Sequence, residues 1–284
     1  MKKRILISLI TLPILYFIIR LEFYNALVFF IFILFLSVLA TRELFFLFRN
    51  IFPGTLGEKY QIIFILLSAL VLVLHYLFLN FRGFNLKTGI FLIFCALLVV
   101  SMVSGFLKKE RRFLTFSLLV SSLIYSGYFP LFMYLIRRQE YGYSHIYLLF
   151  SICWLNDAAS YFIGKYFGKR KGIIKWSPNK TVEGLLGGFI FTLVSSFWIR
   201  AVFMNLHLSY MNALAVAILA AFVAPAGDIL ESWIKRKAGV KDSSTLFPQM
   251  GGILDIFDSI LLTSPLYYIL MVHVFKIGTM RVGL

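Results

Sequence analysis

Charge is scarce in this chain. Aspartate, glutamate, lysine and arginine together make up 14% of its 284 residues, where soluble domains carry roughly 25%, so an ordinary water-soluble domain is excluded. Cysteine is nearly absent: Cys95 and Cys153 both lie inside apolar runs, which leaves neither a disulfide framework nor a thiolate metal site. His75, His145, His207 and His273 are scattered over different stretches, and no nucleophile–histidine–acid arrangement or paired-cysteine zinc spacing is visible. Internal repeats and low-complexity linkers are missing as well. Acids are the scarcest charges, 12 against 28 lysines and arginines, for a formal net charge of +16.

What is abundant is apolar. Hydrophobic residues make up 61% and aromatic residues 18% of the chain, and the mean hydropathy is +0.89. Nine apolar segments can be marked by their flanking charges, near 5–19, 23–41, 60–80, 88–107, 113–136, 144–163, 184–205, 208–233 and 252–275. Crossing a hydrocarbon core takes about 20 residues. The first segment is short, at about 22 Å. It follows Met1-Lys2-Lys3-Arg4 as a signal peptide would, but Arg20-Leu21-Glu22 stands where a small-residue cleavage site belongs, so it is read as a span. The expected fold is an all-α polytopic membrane protein with about nine transmembrane helices.

Assigning lysines and arginines to alternate sides of those spans divides them 20 to 8. The richer side holds the N-terminus and the runs around Lys108–Arg112, Lys165–Lys180 and Lys235–Lys241. Cytoplasmic loops carry the excess of lysine and arginine, so the N-terminus is expected in the cytosol and the C-terminus outside, in a multi-pass protein of the plasma membrane. Most of the positive charge is thereby a topology signal. Basic residues interleaved with aromatics on one surface are not seen, so the bilayer is an expected partner and nucleic acid is not.

Residues 1–150 hold five acids, all in loops or at span ends, whereas 151–284 hold seven. The expected organisation is a scaffold of helices over 1–143 and a site-bearing set over 144–284. An aspartate at a bilayer centre costs on the order of 2.5–3.5 kcal/mol on insertion scales. Asp157, Asp228, Glu231, Asp255 and Asp258 all fall toward the lysine-rich side of their spans, which points to one site. Asp228 and Glu231, and Asp255 and Asp258, are each three residues apart and share a helix face. Gly227 and Gly251-Gly252 remove bulk beside each pair. Carboxylates suited to a hard divalent cation thus stand beside a loop, Lys235-Arg236-Lys237-Ala238-Gly239-Val240-Lys241-Asp242, suited to phosphates.

Plainer roles exist for several of these residues. Asp255 and Asp258 could be ordinary acids of a helix N-terminus, Glu231 could pair with Lys235 four residues on, and Asp157 could satisfy a neighbouring helix's hydroxyl. Asp228 has no lysine or arginine three or four residues away, so its partner must come from elsewhere. Gly164-Lys165-Tyr166-Phe167-Gly168-Lys169-Arg170 is one residue short of a phosphate-binding P-loop and has arginine for serine or threonine.

Ser232-Trp233-Ile234-Lys235-Arg236, then Lys241-Asp242, Pro248, Gly251-Gly252, Asp255 and Asp258 resembles the C-terminal signature of the phosphatidate cytidylyltransferase (CDP-diacylglycerol synthase) family. Asp157 with Tyr161, Gly164-Lys165 and Phe167-Gly168-Lys169 resembles that family's preceding block, and Ser177–Gly184 followed by Gly187-Gly188 resembles the next. Arg42-Glu43-Leu44 loosely resembles a further family motif. The resemblance implies transfer of CMP from CTP to phosphatidic acid, giving CDP-diacylglycerol and pyrophosphate, by a dimeric helical membrane enzyme. Carried over by position, Asp228, Asp255 and Asp258 hold Mg²⁺ and a second cation such as K⁺. Lys180, Thr181, Ser232, Lys235, Arg236 and Lys241 contact phosphates, with Lys235 in the catalytic set, and Asp242 and Asp157 support the substrate site. Two positions depart from the pattern: Met250 stands for the family's usual histidine and Ile256 for its usual arginine. The alternatives are a catalytically weakened relative that binds nucleotide or lipid as a subunit, and a cation-coupled carrier.

Overall fold

The structure, a computed structural model, describes residues 2–24, 26–81, 109–172, 174–203, 208–247 and 250–277. Among these the chain forms helices α1 (Lys2–Arg20), α2 (Leu27–Ile51), α3 (Glu58–Phe81) and α4 (Lys109–Ser122). A π-helical segment, Leu123–Tyr128, leads into α5 (Phe129–Arg137). Helices α6 (Gly142–Phe167), α7 (Val182–Val202), α8 (Tyr210–Lys237) and α9 (Ile253–Ile269) follow, and a π-helical turn, Leu270–Val274, extends the last. The all-α expectation holds among the described residues.

Seven helical stretches among the described residues are long and apolar enough to cross a membrane: Leu27–Ile51, Glu58–Asn80, Phe113–Arg137, Gly142–Phe167, Val182–Val202, Tyr210–Lys237 and Ile253–Val274. The segment expected at 5–19 lies within the helix α1. The segment expected at 88–107, like Pro248, lies outside the described residues. The span expected to end at residue 41 continues as helix to Ile51, because Glu43 is buried and satisfied by the start of α9 and the loop before it rather than marking an exit to water.

Large apolar side chains such as Phe35, Leu66, Trp198 and Phe222 face outward, as a lipid-facing surface requires, while serine, threonine and histidine lie inside. A bilayer interior supplies no water, so freed backbone groups must find internal partners. Pro130, at the start of α5, has no N–H to donate to the carbonyl four residues back. That carbonyl, on Ser126, instead accepts from Ser37 Oγ of α2 at 2.6 Å, and Thr41 Oγ1 donates to Ser126 Oγ at 2.8 Å. The proline therefore explains both the π-helical segment and the way α2 is fastened to it.

The α6–α7 seam is built on glycine. A Cβ on Gly184 would lie 2.6 Å from the Ser160 carbonyl oxygen, and one on Gly188 would lie 2.1 Å from Ser160 Oγ. Asn156 Nδ2 then donates across the seam to Thr192 Oγ1 at 2.8 Å. Because the obstacle at position 184 is backbone, Gly184→Ala is expected to cost about 1–3 kcal/mol, the usual penalty of overpacking. The reading is a lower thermal-unfolding temperature in detergent; an unchanged temperature would mean that the two helices separate freely.

Candidate active site

Several helix ends meet at one end of the bundle. Ser259 Oγ of α9 donates to Asp157 Oδ2 of α6 at 3.1 Å, so Asp157 does satisfy a neighbouring helix's hydroxyl. Lys180, in the loop before α7, places Nζ 2.7 Å from Asp228 Oδ2 of α8; this is the distant partner that Asp228 needs. Lys235 Nζ is shared between Glu231 Oε2 at 2.7 Å and Asp255 Oδ1 at 2.5 Å. Gly227 makes the meeting possible, since a Cβ there would lie 2.6 Å from the Asp258 carbonyl oxygen. It lets α9 backbone approach α8 at the level of the acids, as its place beside Asp228 suggested.

The carboxylates divide into two sets. Asp228, Glu231 and Asp258 each offer an oxygen, and the three oxygens lie within 4.8 Å of one another. Glu231 and Asp258 are buried. Glu231 Oε1 is sealed from solvent with no hydrogen-bond partner among the described residues, while Asp258 Oδ1 accepts from its neighbour's amide, Ser259 N, at 2.5 Å. Asp255 is engaged differently. Its Oδ1 takes Lys235, and its Oδ2 accepts from Gly252 N at 2.7 Å, Ser243 N at 2.8 Å and Ser243 Oγ at 2.6 Å.

The Asp255–Gly252 contact is the carboxylate half of a capping box, and glycine has no side chain to supply the other half. Glu43, brought from α2, stands in for a cap by taking the first two amides of the helix. Its Oε1 accepts from Ile253 N at 3.0 Å and Ser244 Oγ at 2.7 Å, and its Oε2 from Leu254 N at 2.9 Å and Ser243 Oγ at 2.9 Å. A Cβ at position 252 would lie 2.4 Å from Glu43 Oε2, so glycine is required because Glu43 fills the place of the cap. The carboxylate also sits at the positive end of the α9 dipole. Glu43, grouped with the acids of loops and span ends, is thus an internal support of the site, in the half of the chain expected to be scaffold.

The remaining expected residues spread outward from this centre. Ser232 Oγ donates to Asp228 Oδ1 at 3.2 Å. Thr181 is buried and caps α7, its Oγ1 accepting from Gly184 N at 2.9 Å, so it sets the direction of the Lys180 loop. Glu183 accepts from Lys169 N and Arg170 N, both at 3.2 Å, and ties down the other end of that loop. Arg236 donates to the Val240 carbonyl at 2.8 Å and is otherwise exposed. Lys241 and Asp242 are exposed, and among the described residues no hydrogen bond or ion pair joins either side chain to the cluster.

These features define a multi-pass helical membrane protein with a carboxylate–lysine site at one end of its bundle. The chain belongs to the cytidylyltransferase family, whose sequence pattern it matches over residues 2–274. It is 35% identical over 167 residues to the phosphatidate cytidylyltransferase of Staphylococcus saprophyticus, a match covering 59% of this chain and 63% of that protein. It is 33% identical over 222 residues to the phosphatidate cytidylyltransferase of Bacillus subtilis, covering 77% of this chain and 78% of the relative. With the phosphatidate cytidylyltransferase of Aquifex aeolicus it shares 37% identity over 141 residues, 49% of this chain and 51% of the relative. The first and third matches therefore span less than two thirds of those relatives' lengths.

The Glu43 cap yields a stability prediction. Glu43→Ala leaves two buried amides and the Ser244 hydroxyl without their acceptor, while Ser243 Oγ keeps Asp255, and is expected to cost about 2–4 kcal/mol by the usual penalties for a lost cap and unpaired polar groups. Glu43→Gln keeps one acceptor oxygen and is expected to cost less. Thermal unfolding of both variants in detergent checks this, and equal stability of Glu43→Ala and the parent would contradict it.

Proposed function

We propose that this chain transfers the cytidylyl group of CTP to phosphatidic acid at the cytosolic face of the membrane, giving CDP-diacylglycerol and pyrophosphate. The observation that carries this reading is the trio Asp228, Glu231 and Asp258, the last two buried and one glutamate oxygen unpaired, beside two lysines. Asp157, Asp228, Glu231, Asp255 and Asp258 counted as ionised, against Lys180 and Lys235, leave three formal negative charges. An excess of that size, with Glu231 and Asp258 buried, needs cations. The donors are all carboxylate oxygens, which suits a hard ion, so the residues present fit Mg²⁺ held by Asp228, Glu231 and Asp258, with a monovalent cation such as K⁺ for the balance. Asp255, engaged by Lys235, Ser243 and Gly252, serves to hold Lys235 in place. When bound, Mg²⁺ would neutralise phosphate charge and polarise the α-phosphorus.

The chain's own residues do the positioning. A phosphate oxygen of the lipid attacks the α-phosphorus in line, a new P–O bond forms, and the bond to the β-phosphate breaks with its electron pair leaving on pyrophosphate. Such transfers depend mainly on alignment and charge neutralisation. Lys180 is partly exposed at the edge of the cluster, placed to pass from Asp228 to the triphosphate. Arg236, in the last turn of α8, and Lys241, in the loop after it, are both exposed and would meet the nucleotide as it arrives from water. The excess of lysine and arginine at this end of the bundle supports its cytosolic placement in the plasma membrane, and the family resemblance supports a homodimer. Gathering of the acids at one end, rather than at mid-depth on several helices, counts against a carrier.

Ile256 is packed against the apolar core, and its carbonyl accepts from Trp154 Nε1 at 3.3 Å, so position 256 offers no cation to the substrates. The test is labelled cytidine passing from CTP into lipid in detergent–phosphatidic acid micelles, with Mg²⁺ and with excess chelator. Metal-dependent labelling matched by pyrophosphate release is expected, with a loss of at least about 10²-fold in Asp228→Asn, the scale of removing one electrostatic stabiliser from an active site. Folded parent protein that labels no lipid would overturn the reading in favour of a silent relative acting as a binding subunit.

A further inference from the structure

Between α6 and α7 runs a basic stretch that the site uses only at Lys180. Residues 158–182 contain no acid and six cations, Lys165, Lys169, Arg170, Lys171, Lys175 and Lys180, and all but Lys180 are exposed. Among the described residues, Lys165, Lys169, Lys171, Lys175 and Lys237 have no carboxylate within ion-pair distance. The stretch is not a loose tail. Glu183 takes the amides of Lys169 and Arg170, the Arg170 carbonyl accepts from Val182 N at 3.3 Å, and the Pro178 carbonyl accepts from Gly172 N at 3.1 Å.

Aromatic side chains stand among these cations. Tyr161, Phe162, Tyr166 and Phe167, in the last two turns of α6, are exposed. The Lys165 ammonium is 5.9 Å from the Tyr161 ring centroid and 5.5 Å from that of Tyr166. Trp176 has two ammoniums over its ring, Lys175 at 5.3 Å and Lys237, from the end of α8, at 5.6 Å. A basic and aromatic surface is not expected from the sequence; the fold makes it by returning Trp176 to the end of α8.

Helix length sets the depth of this surface. α6 has 26 residues, about 39 Å at 1.5 Å each, against a hydrocarbon core of about 30 Å. α8, with 28 residues, is longer still. Their lysine-bearing ends therefore reach the headgroup layer, where aromatic rings and long basic side chains settle. Clusters of lysine and arginine next to a spanning helix attract anionic lipids. Exposed Phe162 and Phe167 beside the lysines suit a molecule with an anionic head on an apolar body, rather than a nucleotide arriving from water.

We propose that Lys165, Lys169, Lys171, Lys175, Trp176 and Lys237 form a docking surface for the headgroups of anionic phosphodiester lipids of the surrounding bilayer. These lipids are neither substrate nor product of the proposed reaction, so the surface stands apart from the cytidylyltransferase reading. The loop that carries it also delivers Lys180 to Asp228, which makes it continuous in sequence with the acid site.

The test uses the full chain in phosphatidylcholine vesicles containing phosphatidylglycerol with a photoreactive group on its headgroup, and maps the label by peptide mass spectrometry. Label is expected on the end of α6 and around Trp176, at least about fivefold above that from phosphatidylcholine carrying the same group. It is expected to fall at least about threefold in a variant combining Lys165→Gln, Lys169→Gln, Lys171→Gln and Lys175→Gln. The same fall is expected in the parent protein as added salt screens the exposed charges, a measurement that needs no variant to fold. Equal labelling by the two lipids, or phosphatidylglycerol label unmoved by both the substitutions and salt, overturns the proposal. Loss of the label on adding inorganic phosphate at constant ionic strength would assign the surface to water-borne anions and overturn it as well.

Discussion

Burying several carboxylates together at one end of an apolar bundle is the constraint on which the rest of this structure depends. Isolated buried charges cost several kcal/mol each even after relaxation, and here Glu231 and Asp258 are both buried within a few ångströms of Asp228. Each feature around them reduces that cost. Lys235 is divided between Glu231 and Asp255, and Lys180 reaches over from another loop to Asp228. Gly227 removes the bulk that would hold α9 away. What remains uncompensated, the free oxygen of Glu231 and the excess of negative charge, is the part of the arrangement that chemistry can use.

The second consequence is that the two halves of the chain are not separable. The first turn of α9 carries Asp255 and Asp258, and its amides are capped from α2 by Glu43. The same α2 is fastened to the π-helical segment through Ser37, Thr41 and Ser126. The N-terminal helices thus hold the end of α9 in place.

Much of this was legible in the sequence. Scarcity of charge specified a helical membrane protein, and the acids in the second half located the site, because such residues are expensive in lipid wherever they fall. Asp228 was informative for a local reason: with no cation one turn away, it had to find one elsewhere, and Lys180 is that cation. Other features depended on long-range contacts. Glu43 meets Ser243 across 200 residues of sequence, and the signal for it, an acid with apolar helix continuing on both sides, was masked by its neighbour Arg42, which made the pair look like a span end. Asp255 and Glu231 share Lys235 from opposite sides, and spacing alone could not say which would keep a free oxygen. The π-helical segment leaves little trace in hydropathy beyond Pro130.

The division of the carboxylates into two sets is what most needs testing, since it decides what the site can hold. Mn²⁺ titrated into the purified protein in detergent, without substrates, reports binding by the loss of the free-ion electron paramagnetic resonance signal. Glu231→Gln is predicted to abolish or weaken that binding strongly, as are Asp228→Asn and Asp258→Asn, while folded Asp255→Asn keeps it. Loss of binding in Asp255→Asn with Glu231→Gln unaffected would contradict the division and move the cation to the other side of Lys235.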